Sequence, residues 1–224
     1  KMLENFQCRS CAARSGELIL DLGEQPLANN LLAPEDLAQP EPRFPLRLAV
    51  CTECWLLQIT DLVPPVDLFS DYIYFSSYSD AWTQHASECA ARYCEDFTPN
   101  YVIEIASNDG YLLRHFVEAN TPHLGIEPAE NIATVARENG VQTRTDFFTK
   151  KLAQELAAEN QPDLILANNV FAHAPDINDF VAGINRLLAP EGRAILEFPY
   201  AAEMIAQDEF DTIYHEHVFY FTLT

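Results

Sequence analysis

The spacing of apolar positions changes near residue 100, and that change divides the chain. Beyond it, short apolar runs alternate with segments of helical period. Residues 101–105, 123–127, 141–143, 163–167 and 193–198 read as strands. Residues 111–119, 149–159 and about 177–188 read as helices. A further helix opens at Pro128 and stops at Gly140, because proline suits a first helical turn and glycine suits its end. Strands that alternate with helices predict an α/β domain, a parallel sheet with helices on both faces. Before residue 100 the pattern is looser. Residues 17–22 and 44–50 read as short extended pieces, with a four-proline loop over 31–45 between them. Residues 64–77 are rich in proline and aromatics and read as a connector.

A helix is predicted from Ser79 to about Asp96. Its face carries Ala81, Trp82, His85, Ala86, Cys89, Ala90 and Tyr93 at helical spacing, which predicts core packing. His85 is expected there as a satisfied core or interface histidine, and Cys89 and Cys94 as buried, inert thiols. The resulting division is 1–62, a small zinc-binding β module; 63–98, connector and helix; and 99–224, a cofactor-binding Rossmann-like domain.

The cysteines sharpen the first segment. Four of the six form two pairs, Cys8-x-x-Cys11 and Cys51-x-x-Cys54. Two thiolates at that spacing hold one metal from a tight turn, and two such turns complete a tetrahedral zinc site. Four thiolates leave zinc no open position, so the metal is expected to be structural. Thirteen basic against 34 acidic residues give a net charge of −21. Such a surface repels a phosphate backbone, so no nucleic-acid partner is expected. No apolar run is long enough to span a bilayer. The N-terminus lacks the apolar core of a signal peptide. The expectation is a soluble cytoplasmic protein, monomeric or weakly self-associating.

In a parallel sheet, ligands bind outside the carboxyl ends of the strands. There the first strand of the domain runs from Glu104 into Ala106, Ser107, Asn108 and Gly110. Glu127 ends the second strand, followed by Pro128, where a carboxylate can accept both hydroxyls of a ribose. Only Gly110 of this loop is a glycine, which makes a poor cradle for a pyrophosphate. The loop better suits adenosine with an amino-acid tail, which is S-adenosylmethionine. Asp146 and Phe147 follow the third strand, placed to read and cover an adenine. Asn168, Asn169 and His173 follow the fourth.

The densest chemistry is Tyr214-His215-Glu216-His217. A zincin motif would need histidine at 219, where the chain has Phe219. Read as extended, the segment puts His215 and His217 on one face, and Tyr214 and Glu216 on the other. An imidazole is a good general base at neutral pH. Tyr214 or the second imidazole could hold the oxygen of an enolate.

Taken together, the two Cys-x-x-Cys pairs, 74–78, 104–110, 125–128, 169–173 and 210–217 resemble the zinc-containing, S-adenosylmethionine-dependent C-methyltransferases that act on nucleotide-linked 4-keto-deoxysugars. The resemblance runs the length of the chain. It implies a class I methyltransferase domain and a small-molecule nucleotide-sugar substrate. The zinc module would help shape the sugar-nucleotide site. The resemblance puts the general base at His217, with Tyr214 and Glu216 assisting, and packs Tyr78 against the methyl donor. The family usually has glycine where this chain has Ala106. The family's C-terminal domain would lie beyond Thr224. Transfer to oxygen or nitrogen of a small metabolite is the rival chemistry, and a silent cofactor-binding fragment the rival without chemistry.

Overall fold

The computed structural model describes residues 1–69 and 72–223. They form two compact units. One comprises residues 1–68, 172–178 and those from 198 onward; the other comprises 69–171 and 179–197. Residues 172–178 and 198 onward, expected with the cofactor domain, therefore pack with the cysteine module instead. The sequence pattern could not show this, because strand pairing across the chain decides it.

The first unit is built on an antiparallel sheet of β1 (Gly16–Gln25), β2 (Phe44–Cys51) and β3 (Leu57–Ile59). A last strand, β9 (Phe219–Tyr220), adds to β3 with Leu57 opposite Tyr220 and Gln58 opposite Phe219. Neither β3 nor β9 stands out in the sequence, since two or three residues carry no readable alternation. A short helix, α1 (Pro65–Phe69), follows β3.

The second unit opens with helix α2 (Asp80–Phe97), capped by the Ser79 hydroxyl accepting from the Trp82 N–H. Its buried face is Ala86, Cys89, Ala90 and Tyr93, whereas Ala81, expected on that face, is exposed in the first turn, and Trp82, His85 and Cys94 are only partly buried. Beyond it come β4 (Val102–Ile105), α3 (Leu113–Glu118), β5 (His123–Ile126), α4 (Glu130–Glu138), β6 (Thr143–Arg144), α5 (Lys150–Glu159), β7 (Leu164–Asn168), α6 (Ile177–Leu187) and β8 (Arg193–Glu197). The five strands form one parallel sheet in the order β6-β5-β4-β7-β8. This is a doubly wound, Rossmann-like α/β architecture. The strand order reverses between β4 and β7, which places a ligand crevice at their carboxyl ends.

Val141 departs from its expected strand. It is buried, and a Cβ on Gly110 would stand 2.7 Å from one of its methyls. Gly110 also has φ +79°, so the loop needs glycine there for both reasons. After β8 the chain forms α7 (Ala201–Ala206), which the sequence did not announce. Residues 214–217 are not extended: the His217 N–H donates to the Tyr214 carbonyl at 3.1 Å. That turn overrides the alternation expected of the segment, so His215 and His217 do not share a face.

Candidate active site

The cysteine pairs of the first unit converge. Sγ of Cys8 lies 3.6 Å from Cys54, Sγ of Cys11 lies 3.6 Å from Cys51, and all four sulfurs fall within 4.8 Å of one another. Four Zn–S bonds of about 2.3 Å in a tetrahedron put sulfurs about 3.8 Å apart, so the cluster has the size of a zinc site. Both turns close in the same way. The residue after each second cysteine, Ala12 and Trp55, is left-handed, and its N–H donates to the carbonyl of the first cysteine at 3.0 Å. Burial pushes the Cys8 thiol up, but the Cys11 and Ser10 amides outweigh it and bring it down to about 7. Cys54 is pushed up to about 12 by burial among its neighbours. One thiolate thus forms readily and the next does not, until a dication balances their charge.

The first cysteine turn is tied to β3 and the segment after it. The Arg9 guanidinium donates to the Gln58 side chain and to the carbonyls of Ile59 (2.6 Å) and Thr60 (3.1 Å). These residues lie in and just after β3, which pairs with β9. The Ile59 N–H donates to the Val218 carbonyl, and the Val218 N–H donates to the Ala172 carbonyl. Backbone pairing therefore brings 172–173 beside 217–220.

His217 is buried at the centre. Its Nδ1 lies 3.1 Å from the Thr212 carbonyl, which can only accept, so Nδ1 carries the proton and Nε2 the lone pair. The Tyr214 hydroxyl lies 2.9 Å from that Nε2. The His173 and His217 rings are 4.9 Å apart, and the Tyr220 ring is 6.1 Å from His217. Burial lowers the pKa of His217 below the ordinary imidazole value. Burial, with the neighbouring His217, takes His173 down to about 3. Both imidazoles are neutral at pH 7. Burial also raises the Tyr220 phenol.

The other members of the motif face elsewhere. His215 Nε2 sits 3.3 Å from the carbonyls of Phe44 and Pro45, holding the start of β2. Glu216 accepts from the Asn29 amide at 2.6 Å. Of the four residues expected as catalytic, the structure unites Tyr214 and His217. His173, expected in the cofactor crevice, lies in the first unit beside them, carried there by the Val218–Ala172 bond. Tyr220 and Asn29 gave no signal in the sequence, since lone aromatic and amide residues are common.

Of the expected cofactor residues, Glu104, Ser107, Glu127 and Asn168 are buried at or just beyond the carboxyl ends of β4, β5 and β7. Glu104 is fully buried with neither carboxylate oxygen partnered, and the Ser107 hydroxyl is likewise unpartnered. Burial, then the nearby Asp109 and Glu127, drives the Glu104 carboxyl well above the usual range. Orphaned acceptors in an acidic crevice fit a ligand bearing a sulfonium and an ammonium, as S-adenosylmethionine does. Glu127 accepts from the Asn108 and Ala129 amides at 3.0 and 2.9 Å. Burial nevertheless raises its pKa to about 7.

Other expectations shift. The Asn108 side chain is spent on the preceding segment, accepting from the Ser76 N–H and donating to the Tyr74 carbonyl. Asp146 is paired with Arg144 at 3.3 Å. Phe147 is partly exposed, and Tyr78 is 81% exposed and stacked on Phe75. Pro128 lies just beyond the β5 strand, and Asn168 is buried at the end of β7. Asn169 is left-handed at φ +50°, a conformation asparagine tolerates. Ala106 is left-handed at φ +56°, where its Cβ is strained. Ala106→Gly is expected to stabilise the fold by about 1 kcal/mol, read as a melting temperature about 2–4 °C higher. An unchanged or lower melting temperature would refute that strain.

Two family descriptions match the chain: "Putative zinc binding domain" over residues 8–69, and "Methyltransferase domain" over residues 103–194. A curated relative, C-methyltransferase NovU of Streptomyces niveus, is 36% identical over 221 residues, 97% of this chain and 53% of that protein. The chain thus spans about half the length of this relative. Among solved structures, DesVI of Streptomyces venezuelae is 15% identical with a TM-score of 0.45, over 55% of this chain and 53% of that one. An O-methyltransferase candidate from Nostoc punctiforme is 21% identical with a TM-score of 0.48, over 61% and 44%.

Proposed function

Since the chain belongs to the S-adenosylmethionine-dependent methyltransferases that carry an N-terminal zinc-binding domain, we propose that it serves methyl transfer to a carbon next to the ketone of a nucleotide-linked 4-keto-deoxysugar. The observation that carries this reading is the Tyr214–His217 pair, with the base's tautomer fixed by Thr212. His217 Nε2 takes the proton from the carbon. As Nε2 becomes protonated, the Tyr214 hydroxyl is released to donate to the enolate oxygen. A bound S-adenosylmethionine would supply the electrophilic methyl for the carbanion carbon, its sulfonium taking up the electron pair. His173 stays neutral, so it adds no positive charge that would suppress the base. The name of the curated relative supports carbon as the acceptor.

Glu104, Ser107, Glu127 and Asn168 would hold that cofactor; the unpartnered oxygens of Glu104 and Ser107 support this assignment. Zinc has no open position among four cysteines and belongs to the scaffold. Among the described residues, no helix is long and apolar enough to cross a membrane.

Solvent exchange tests the acceptor chemistry. A thymidine-diphosphate 4-keto-deoxysugar incubated with the protein in deuterium oxide should lose its α proton, and His217→Gln should abolish that exchange. Methylation of an oxygen or nitrogen without any α exchange would overturn the carbon reading. Cofactor affinity gives a separate check. The Glu127 carboxylate must be ionised to accept two ribose hydroxyls. With a pKa of about 7, affinity should tighten about tenfold from pH 6 to pH 8. Calorimetry that finds a flat profile would remove Glu127 from that role.

A further inference from the structure

At the edge of the parallel sheet, where Glu197 pairs in register with Asn168 of the crevice, three side chains of different chemistry meet. His85 and Cys89 lie four residues apart on one face of α2, and Glu197 is the last residue of the edge strand β8. His85 Nε2 lies 2.8 Å from Glu197 Oε2 and 3.6 Å from Cys89 Sγ, and the three donor atoms lie within 4.8 Å of one another. The sequence pattern treats His85 as a core residue and Cys89 as an inert thiol. The structure gives one nitrogen two competing neighbours instead.

We infer that His85, Cys89 and Glu197 form a second metal site, for zinc or a related late first-row dication, distinct from the four-cysteine site. The spacing supports this. A tetrahedral ion with bonds of about 2.0 Å to nitrogen and 2.3 Å to sulfur separates those two atoms by about 3.5 Å, and the structure has 3.6 Å. The nitrogen–oxygen separation in the same ion is about 3.3 Å. Glu197 therefore withdraws by about half an ångström on binding, exchanging its hydrogen bond to His85 for a bond to the metal. Charge supports it as well: a thiolate and a carboxylate cancel a dication. Sγ of Cys89 also faces the Arg92 guanidinium at 3.9 Å, a donor suited to a thiolate. An imidazole, a thiolate and a carboxylate select zinc, cobalt or nickel over magnesium or calcium.

The site is open. Cys89 is 5% exposed, whereas the side chains of His85 and Glu197 are 43% and 31% exposed. Three protein ligands leave a fourth position for water or an anionic oxygen, which the four-cysteine site lacks.

Cobalt distinguishes the two sites. The protein carrying one zinc at its cysteine cluster is titrated with cobalt(II) and followed by visible absorption. One further equivalent is expected, with tetrahedral d–d bands and a charge-transfer band of single-thiolate strength. Cys89→Ser should remove the charge-transfer band. Glu197→Gln, at a half-exposed position, should weaken binding at least tenfold while leaving circular dichroism and zinc content unchanged. No uptake beyond the first zinc would overturn the proposal. Uptake that survives both substitutions would overturn it too, since it would mark scattered surface carboxylates.

Discussion

Replacing His217 with glutamine is expected to lower the rate of methyl transfer by about 10²–10⁴-fold, the usual worth of a positioned general base. Glutamine keeps the volume and a polar end but cannot take up the proton at neutral pH. The effect should fall on kcat. Affinity for S-adenosylhomocysteine should be unchanged, because the residues proposed to hold it, Glu104, Ser107 and Glu127, are left as they are. A rate within about tenfold of the parent would dismiss His217 as the base. The pH profile follows from the same burial. The base works when neutral, and burial holds its pKa below the ordinary 6.5. The parent should therefore keep full kcat/KM through neutral pH and lose it only as pH falls below that value. Stability follows the same sign. An unfolded histidine takes a proton near pH 6.5, whereas folded His173 resists it to about 3. Stability is full above pH 6.5 and declines between 6.5 and 3, as the unfolded chain binds the proton that the folded one refuses.

The second large effect concerns zinc. Removing the metal with a chelator, or replacing the fully buried Cys51 by serine, is expected to melt the first unit. Structural zinc in small domains contributes on the order of 10–16 kcal/mol of apparent binding energy, more than a module of this size can replace with apolar burial. Its loss frees the Arg9 turn, and with it the β3–β9 pairing that brings His173 and Tyr214 to His217. Methyl transfer should disappear. The cofactor crevice, whose residues all lie in the second unit, should still bind S-adenosylhomocysteine in calorimetry. An active zinc-free protein, or equal loss of cofactor binding, would show that the metal does not act through this route. Acid should mimic the chelator, because each thiolate must stay deprotonated to hold the ion.

Some of this was written in local pattern. The parallel sheet was legible because its strands are short apolar runs separated by periodic helices, and each period needs only neighbours in sequence. The metal site was legible because two Cys-x-x-Cys turns each bring half of it together locally. The loop around Gly110 was legible because Glu104 and Glu127 sit at strand ends that the alternation fixes. The strain at Ala106 needed a dihedral, which residue identity does not give.

The base cluster was only half legible. Tyr214 and His217 share one turn, so their chemistry is local, although the turn reversed the expected facing of His215. His173 came from a loop after β7, Tyr220 from a two-residue strand, and Asn29 from the four-residue bend before the proline loop. Asn29 reaches Glu216, whereas His173 and Tyr220 meet His217 through the pairing of β3 with β9 and the bond from Val218 to Ala172. The His85–Cys89–Glu197 group is similar: α2 supplies two of its members at a readable spacing, and the third arrives on an edge strand more than a hundred residues later. Sequence by itself determined the main strands and helices of the parallel sheet and the four cysteines that converge, because short-range periods and paired motifs decide those. Only the tertiary structure decided the tautomer of His217, its burial and the phenol beside its Nε2, because backbone pairing between distant segments sets both the surroundings and the hydrogen-bond partner.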